Sequence, residues 1–387
     1  MSENPKHSLD TTHQSHQRPL KIARTEEEQI QESGTVSKPM SPNPRLQRYL
    51  VAFEYIGTRF SGSQQQLKCR TAVGVLEEAF REFIGHPVSI FCSSRTDAGV
   101  HALSNVCHVD VERISKRKPG EVLPPHEPTV VRRAVNHFLQ HAASRAVGCC
   151  TSFSHAYGLV YLLFFDFCWK KEGDIMVTDV RCVPTDFHAR YKAQERTYFY
   201  RLLSGSESLS IFEKDRAWHV PEELDLHAMQ KACEVLIGHH DFSSFRASGC
   251  QAKSPIRTID ELHVSEVPSS TYFPCMESNA YYIKSASDLP FSSTSDSDSH
   301  RFGLSNGGNN VGFGIRKRHR CYVVKVRARA FLYHQVRLIV GVLKSVGTGD
   351  LIVADVERIL NAKTVTAASP MAPAHGLYLG HVKYDLP

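Results

Sequence analysis

The stretch SRTDAGVHA, residues 94–102, decides how the chain is read. It packs Arg95, Asp97 and His101 around Ala98 and Gly99. It lies in the connection between two strand-like segments, 88–93 (VSIFCS) and 105–111 (NVCHVDV). In the second of these, Cys107, Val109 and Val111 alternate with polar neighbours, the two-residue period of a half-buried strand. A carboxylate on a tight turn beside an arginine is favoured in its charged form, the form a nucleophile or base needs. The same letters also suit an Asp-Ala-Gly turn whose aspartate only bonds its own backbone.

Outward from this stretch the chain alternates strands and helices. Residues 49–55 (YLVAFEY) form a strand ended by a turn around Gly57. Ala72, Val75, Leu76, Ala79, Phe80 and Phe83 recur at helical spacing, with Thr71 placed to cap the helix and Gly85 to end it. A helix near 129–140 and a strand at 174–182 follow. The second half repeats the grammar: a strand at 195–203, a helix near 225–237, strands at 256–267 and 320–330, then helices at 333–346 and 353–361. The fold class is α/β (α+β), with helices on one face of each sheet and the other face free to meet a ligand. Residues 46–186 and 187–387 read as an N-terminal and a C-terminal half. Residues 1–45, polar and poor in aromatics, read as a disordered tail. An insertion at 142–171 and a Ser/Asp/Asn/Gly-rich loop at 268–318 interrupt the pattern.

Composition narrows the class. The chain has 387 residues and a formal net charge of +6, which tilts toward a polyanionic partner. Its 11 cysteines include no C-x-x-C pair, so neither a zinc site nor a disulfide framework is expected. No apolar run is long enough to span a membrane, and the N-terminus has no apolar core of a signal peptide. The expectation is a soluble intracellular protein, with mitochondrial and cytoplasmic or nuclear placement left open. His137 and His141 stand at i, i+4, and His239, His240 and Asp241 cluster, but neither group has the makings of a metal site and none is expected.

Two rows read as nucleic-acid contacts. If 190–200 is continuous strand, Arg190, Lys192, Arg196, Tyr198 and Tyr200 share a face, where cations meet phosphates and rings stack on bases. Lys325, Arg327 and Arg329 make a second row. The basic run Arg316 to Arg320 reads as solvated.

Five blocks in order carry a family resemblance: RTDAGVHA from Arg95, DFHARYKAQERTYFY (186–200), DFSSFRA (241–247), FLYHQVRLIVGVL (331–343) and GLYL (376–379). Together they resemble the TruA-type tRNA pseudouridine synthases, and Ser93-Ser94 before Arg95 is similar to the animal tRNA pseudouridine synthase-like branch. The resemblance implies a pseudouridine-synthase fold of two related halves with antiparallel sheets and a central RNA-binding cleft. It implies isomerisation of uridine in tRNA, in the anticodon stem-loop region, without a cofactor, by a homodimer. Asp97 falls on the catalytic carboxylate, Arg337 on the arginine that pairs with it, and Tyr198 on the tyrosine that stacks on the base or moves a proton. Arg95, His101, Arg190 and Arg196 are the expected substrate contacts. One departure is that Gly62, Ser63 and Gln64 stand where the family has Gly-Trp-Gln. A non-catalytic RNA-binding protein and a metal-dependent phosphodiesterase are the rival readings; the first predicts a dispensable Asp97, the second inhibition by a chelator.

Overall fold

The computed structural model describes residues 46–386, apart from 67, 116, 119, 151–172, 269–317 and 369; for 141–150 it gives the helical backbone alone. The tail expected at 1–45, and nearly all of the two insertions, lie outside these residues. The strands are β1 (Leu46–Tyr55), β2 (Ile90–Cys92), β3 (His101–Glu112), β4 (Ile175–Val183), β5 (Glu195–Ser204), β6 (Trp218–Val220), β7 (Gly238–Asp241), β8 (Ile256–Val267), β9 (Arg320–Ala328) and β10 (Leu377–Lys383). The helices are α1 (Ala72–Ile84), α2 (Pro128–Cys150), α3 (Leu226–Leu236), α4 (Gln335–Gly347) and α5 (Val353–Ala362).

All ten strands form one sheet, ordered β4-β1-β3-β10-β5-β9-β8-β7, with β2 on β3 and β6 on β5. The halves do not keep separate sheets. β10, from near the C-terminus, runs parallel to β3 at His101–Tyr378 and Ala102–Leu379 and antiparallel to β5. It thereby satisfies edges that two separate sheets would leave unpaired.

Cross-strand register puts Tyr49, Val51 and Phe53 beside Val109, Cys107 and Asn105. It likewise puts Tyr198 and Tyr200 beside Val326 and Val324. All are buried, and all but the polar Asn105 join the apolar residues of the helices, among them Leu76 and Phe80 of α1 and Ile339 and Leu343 of α4, in one core. The caps of α1 fall where the sequence placed them: Thr71 accepts a hydrogen bond from the Gly74 N–H at 3.2 Å, and Gly85 adopts φ 97. Such a cap contributes about 1 kcal/mol.

Three expectations are corrected. α2 continues to Cys150, into the segment assigned to the insertion. The strand expected over 190–200 begins only at Glu195, because 188–192 turns back on itself through Lys192 N–H to His188 C=O at 2.9 Å. Arg190 and Lys192 are exposed there, while Arg196, Tyr198 and Tyr200 are buried. Two of the three residues in the second basic row are matched by acid: Lys325 pairs with Glu261 at 2.7 Å, and Arg327 with Glu195 and Glu261, each at 3.2 Å. Paired charges on an exposed sheet face leave little net field for a phosphate chain.

Candidate active site

The loop from Ser93 to Gly99 is held from three sides. Ser63 clamps Thr96: its N–H donates to the Thr96 carbonyl at 3.1 Å, and its Oγ accepts from the Thr96 N–H at 2.8 Å. The buried Tyr55 hydroxyl meets Thr96 Oγ1 at 2.7 Å. Asn105 donates to the Ser94 carbonyl at 3.3 Å and accepts from Ser93 Oγ at 3.1 Å. Beyond Thr96 the chain turns sharply, with Gly99 at φ 84 and the Val100 N–H on the Asp97 carbonyl at 3.2 Å. The Asp97 side chain is left partly exposed, at 28%.

The start of α4 meets this carboxylate. His334 sits in the left-handed region at φ 60, and the buried Gln335 side chain accepts from the Leu332 N–H at 2.8 Å, fixing the turn into the helix. His334 Nε2 lies 3.1 Å from Asp97 Oδ2 and Arg337 Nη1 3.8 Å from the same oxygen. To donate to a carboxylate, Nε2 must carry a proton. His334 Nδ1 is buried with no hydrogen-bond partner among the described residues, and its ring stacks on Tyr333 at 3.7 Å. Arg337 is steered by its Nε, which donates to the Ala372 carbonyl at 2.8 Å, while the Ala372 N–H returns a bond to the Arg337 carbonyl at 3.1 Å. Burial lowers the Arg337 pKa from its ordinary value, against the pull of Asp97.

Tyr198 lies beside this group. It is buried, hydrogen-bonded to the Ser94 side chain and packed edge-on to Phe331 at 5.2 Å. Burial pushes its pKa up to about 12, with the Asp97 charge acting in the same sense and Arg196 against it. Its phenol therefore stays protonated across the working range. Arg95 is exposed on the Asp97 loop.

Two of the expected substrate contacts are placed inside the fold. Arg196 is buried and spends its guanidinium on backbone carbonyls: Nη1 on Arg329 at 2.6 Å, Nη2 on Arg190 at 3.0 Å and on Ser93 at 3.1 Å. It ties the Asp97 loop, the turn at 190 and the end of β9 together. His101 is buried between the Gly57 N–H, which donates to Nδ1 at 3.1 Å, and the Asp215 carbonyl, 3.1 Å from Nε2. Burial lowers its pKa, and the bonds fix a neutral ring inside the fold. Sequence reasoning missed His334 and Ser63. His334 lies in the block 331–343 and Ser63 at the departure from the family's Gly-Trp-Gln, but contact with Asp97 and its loop is set by tertiary structure.

His239 Nδ1 meets Thr258 Oγ1 at 2.9 Å, His240 Nε2 meets the Ile237 carbonyl at 2.8 Å, and Asp241 accepts from Ser243. Among the described residues no helix is long and apolar enough to cross a membrane.

What remains is the site of an enzyme built round one carboxylate, faced by an imidazole N–H and a guanidinium. Comparison with known proteins places it. The family model for tRNA pseudouridine synthase matches residues 51–146 and 232–385, which include Asp97, His334 and Arg337. Human tRNA pseudouridine synthase-like 1 is 34% identical over 358 residues, covering 90% of this chain and 93% of that protein. tRNA pseudouridine synthase A of Roseobacter denitrificans is 31% identical over 342 residues, covering 88% and 97%. That of Paramagnetospirillum magneticum is 32% identical over 340 residues, covering 88% and 96%. The chain belongs to the tRNA pseudouridine synthase family, whose enzymes are isomerases that convert uridine to pseudouridine.

Proposed function

We propose that this protein isomerises uridine to pseudouridine in tRNA with Asp97 as the essential carboxylate. The observation that carries the assignment is the convergence of His334 and Arg337 on one oxygen of a partly exposed Asp97. The bond from C1′ to N1 breaks, the uracil turns, and C5 bonds to C1′. C5 then gives up its proton and N1 gains one, so atoms balance without an oxidant or a donor. Asp97 attacks the nucleotide or takes the proton that starts the exchange. His334 and Arg337 hold its charge in place, a role that preorganised donors fill well in a site shielded from water. Tyr198, neutral at working pH, lies against the base rather than serving as a ready anion. Arg95 and Arg190, both exposed, meet phosphate.

The family resemblance further supports a target in the anticodon stem-loop region and a homodimer that lays tRNA across both subunits. The target uridine must leave its stack to reach Asp97. Tritium release from tRNA transcribed with [5-³H]uridine tests the assignment. Release that vanishes in Asp97→Ala and persists in a chelator supports it. RNA binding without release from any tRNA turns the reading to a binding protein.

A further inference from the structure

Away from Asp97, aromatic rings gather where β2 and β3 meet the turn at 188–192. Phe91 stacks on His108 at 5.2 Å, with 15° between the rings, and His188 stands edge-on to His108 at 4.6 Å. Tyr191 leans on His188 at 4.2 Å. The outer members are open to solvent: Phe91 is 52% exposed and Tyr191 73%. Neither ring serves the core, and Arg190 is exposed beside them.

The patch is held firmly for a surface feature. Arg48 donates to the Phe187 carbonyl at 2.9 Å, and Ala189 N–H donates to His108 Nδ1 at 3.2 Å. The Tyr384 hydroxyl donates to the Ala189 carbonyl at 2.6 Å, and Arg190 N–H donates to His188 Nδ1 at 3.2 Å. Through Arg196 the same turn is tied to Ser93, on the loop that carries Asp97. Both imidazoles accept a backbone N–H, which makes them neutral rings. Burial and the charge of Arg48 hold His108 down to about 4, and burial, Arg48 and Arg190 lower His188. Flat uncharged rings, fixed in advance and with the exposed Arg190 beside them, suit a ligand that is itself flat and carries negative charge at one end.

We propose that Tyr191, His188 and Phe91, with Arg190, form a stacking subsite for one unpaired nucleobase of the bound tRNA and its phosphate, outside the pocket of the target uridine. The proposal rests on the reading of the protein as a tRNA-modifying enzyme. Tyr191 supplies the ring face, and Arg190 meets the phosphate.

Equilibrium binding of a tRNA transcript by the full chain tests it, with tritium release measured alongside. Tyr191→Ala and Tyr191→Leu should each weaken binding about tenfold or more, while Tyr191→Phe keeps the wild-type affinity. Because Tyr191 is so exposed, these variants should melt as the wild type does. Phe91→Ala, in the stack behind, should weaken binding less. Wild-type affinity in Tyr191→Ala, with release intact, overturns the subsite and leaves the synthase reading standing. Weakened binding in Tyr191→Ala, with no release by the wild type from any tRNA, supports the subsite and removes the synthase reading. Equal losses in Tyr191→Phe and Tyr191→Ala point to the hydroxyl and overturn stacking.

Discussion

His334 and Arg337 reach the same oxygen of Asp97 but by different means. Arg337 offers charge at 3.8 Å, whereas His334 offers a hydrogen bond at 3.1 Å from a backbone at φ 60. Holding a residue with a Cβ in that region costs about 1–3 kcal/mol. The contact with the carboxylate is what that backbone conformation secures. His334→Phe keeps a ring against Tyr333 and removes the donor. It should lower single-turnover tritium release about 10- to 100-fold, the worth of a hydrogen bond to a charged group, with tRNA affinity unchanged. His334→Gln, which restores an N–H, should recover part of the rate. An undiminished rate in His334→Phe would remove the residue from the mechanism. Tyr198 gives a second test. With its phenol pushed up to about 12, turnover from about pH 6 to 9 should carry no basic limb due to Tyr198. Tyr198→Phe should therefore keep the shape of the profile; a limb present in the wild type and missing in the variant contradicts the neutral-phenol role.

α4 carries both partners of Asp97, so its seat against the chain at 370–372 sets the site. A Cβ at Gly341 would lie 1.8 Å from the Pro370 carbonyl oxygen, which brings the helix close enough for Arg337 and Ala372 to exchange hydrogen bonds. Gly341→Ala should destabilise the fold by about 1–3 kcal/mol, read as a lower urea midpoint, and should lower turnover of the protein that remains folded. An unchanged midpoint would mean that the helix shifts freely. At this scale the sequence was readable where period and punctuation agree. α1 between Thr71 and Gly85 and β8 at Ile256–Val267 follow directly from spacing. Reading failed where contacts distant in sequence decide. The basic-aromatic alternation before Glu195 suggested a longer strand, yet the turn at 188–192 is closed by its own hydrogen bonds. Lys325 and Arg327 looked like RNA contacts because Glu195 and Glu261, on neighbouring strands, are invisible as partners from the sequence of β9. Asp97 was legible because its loop is written in one continuous block. His334 was quoted in its block and passed over, since nothing local says that its ring meets Asp97.

Over the whole molecule, one sheet passes through β10, so residues from near the chain's end brace strands from both halves. Neutral histidines in this frame couple stability to acid. His108, with an ordinary pKa of 6.5, is held to about 4, and His101 and His188 are lowered too, each chiefly by burial. The unfolded chain takes these protons near pH 6.5 while the fold resists them. Stability is therefore full above 6.5, falls as pH drops toward about 4, and loses nothing more from His108 below that. Melting temperature against pH should show this decline, and His108→Gln should flatten it; a slope unchanged in the variant would contradict the assignment. The central claim is that the fold presents Asp97 to a uridine of tRNA, and single-turnover tritium release at saturating [5-³H]uridine tRNA tests it most directly. The account predicts complete release by the wild type and none by Asp97→Asn, with both binding the RNA equally. Substantial release by Asp97→Asn would contradict it.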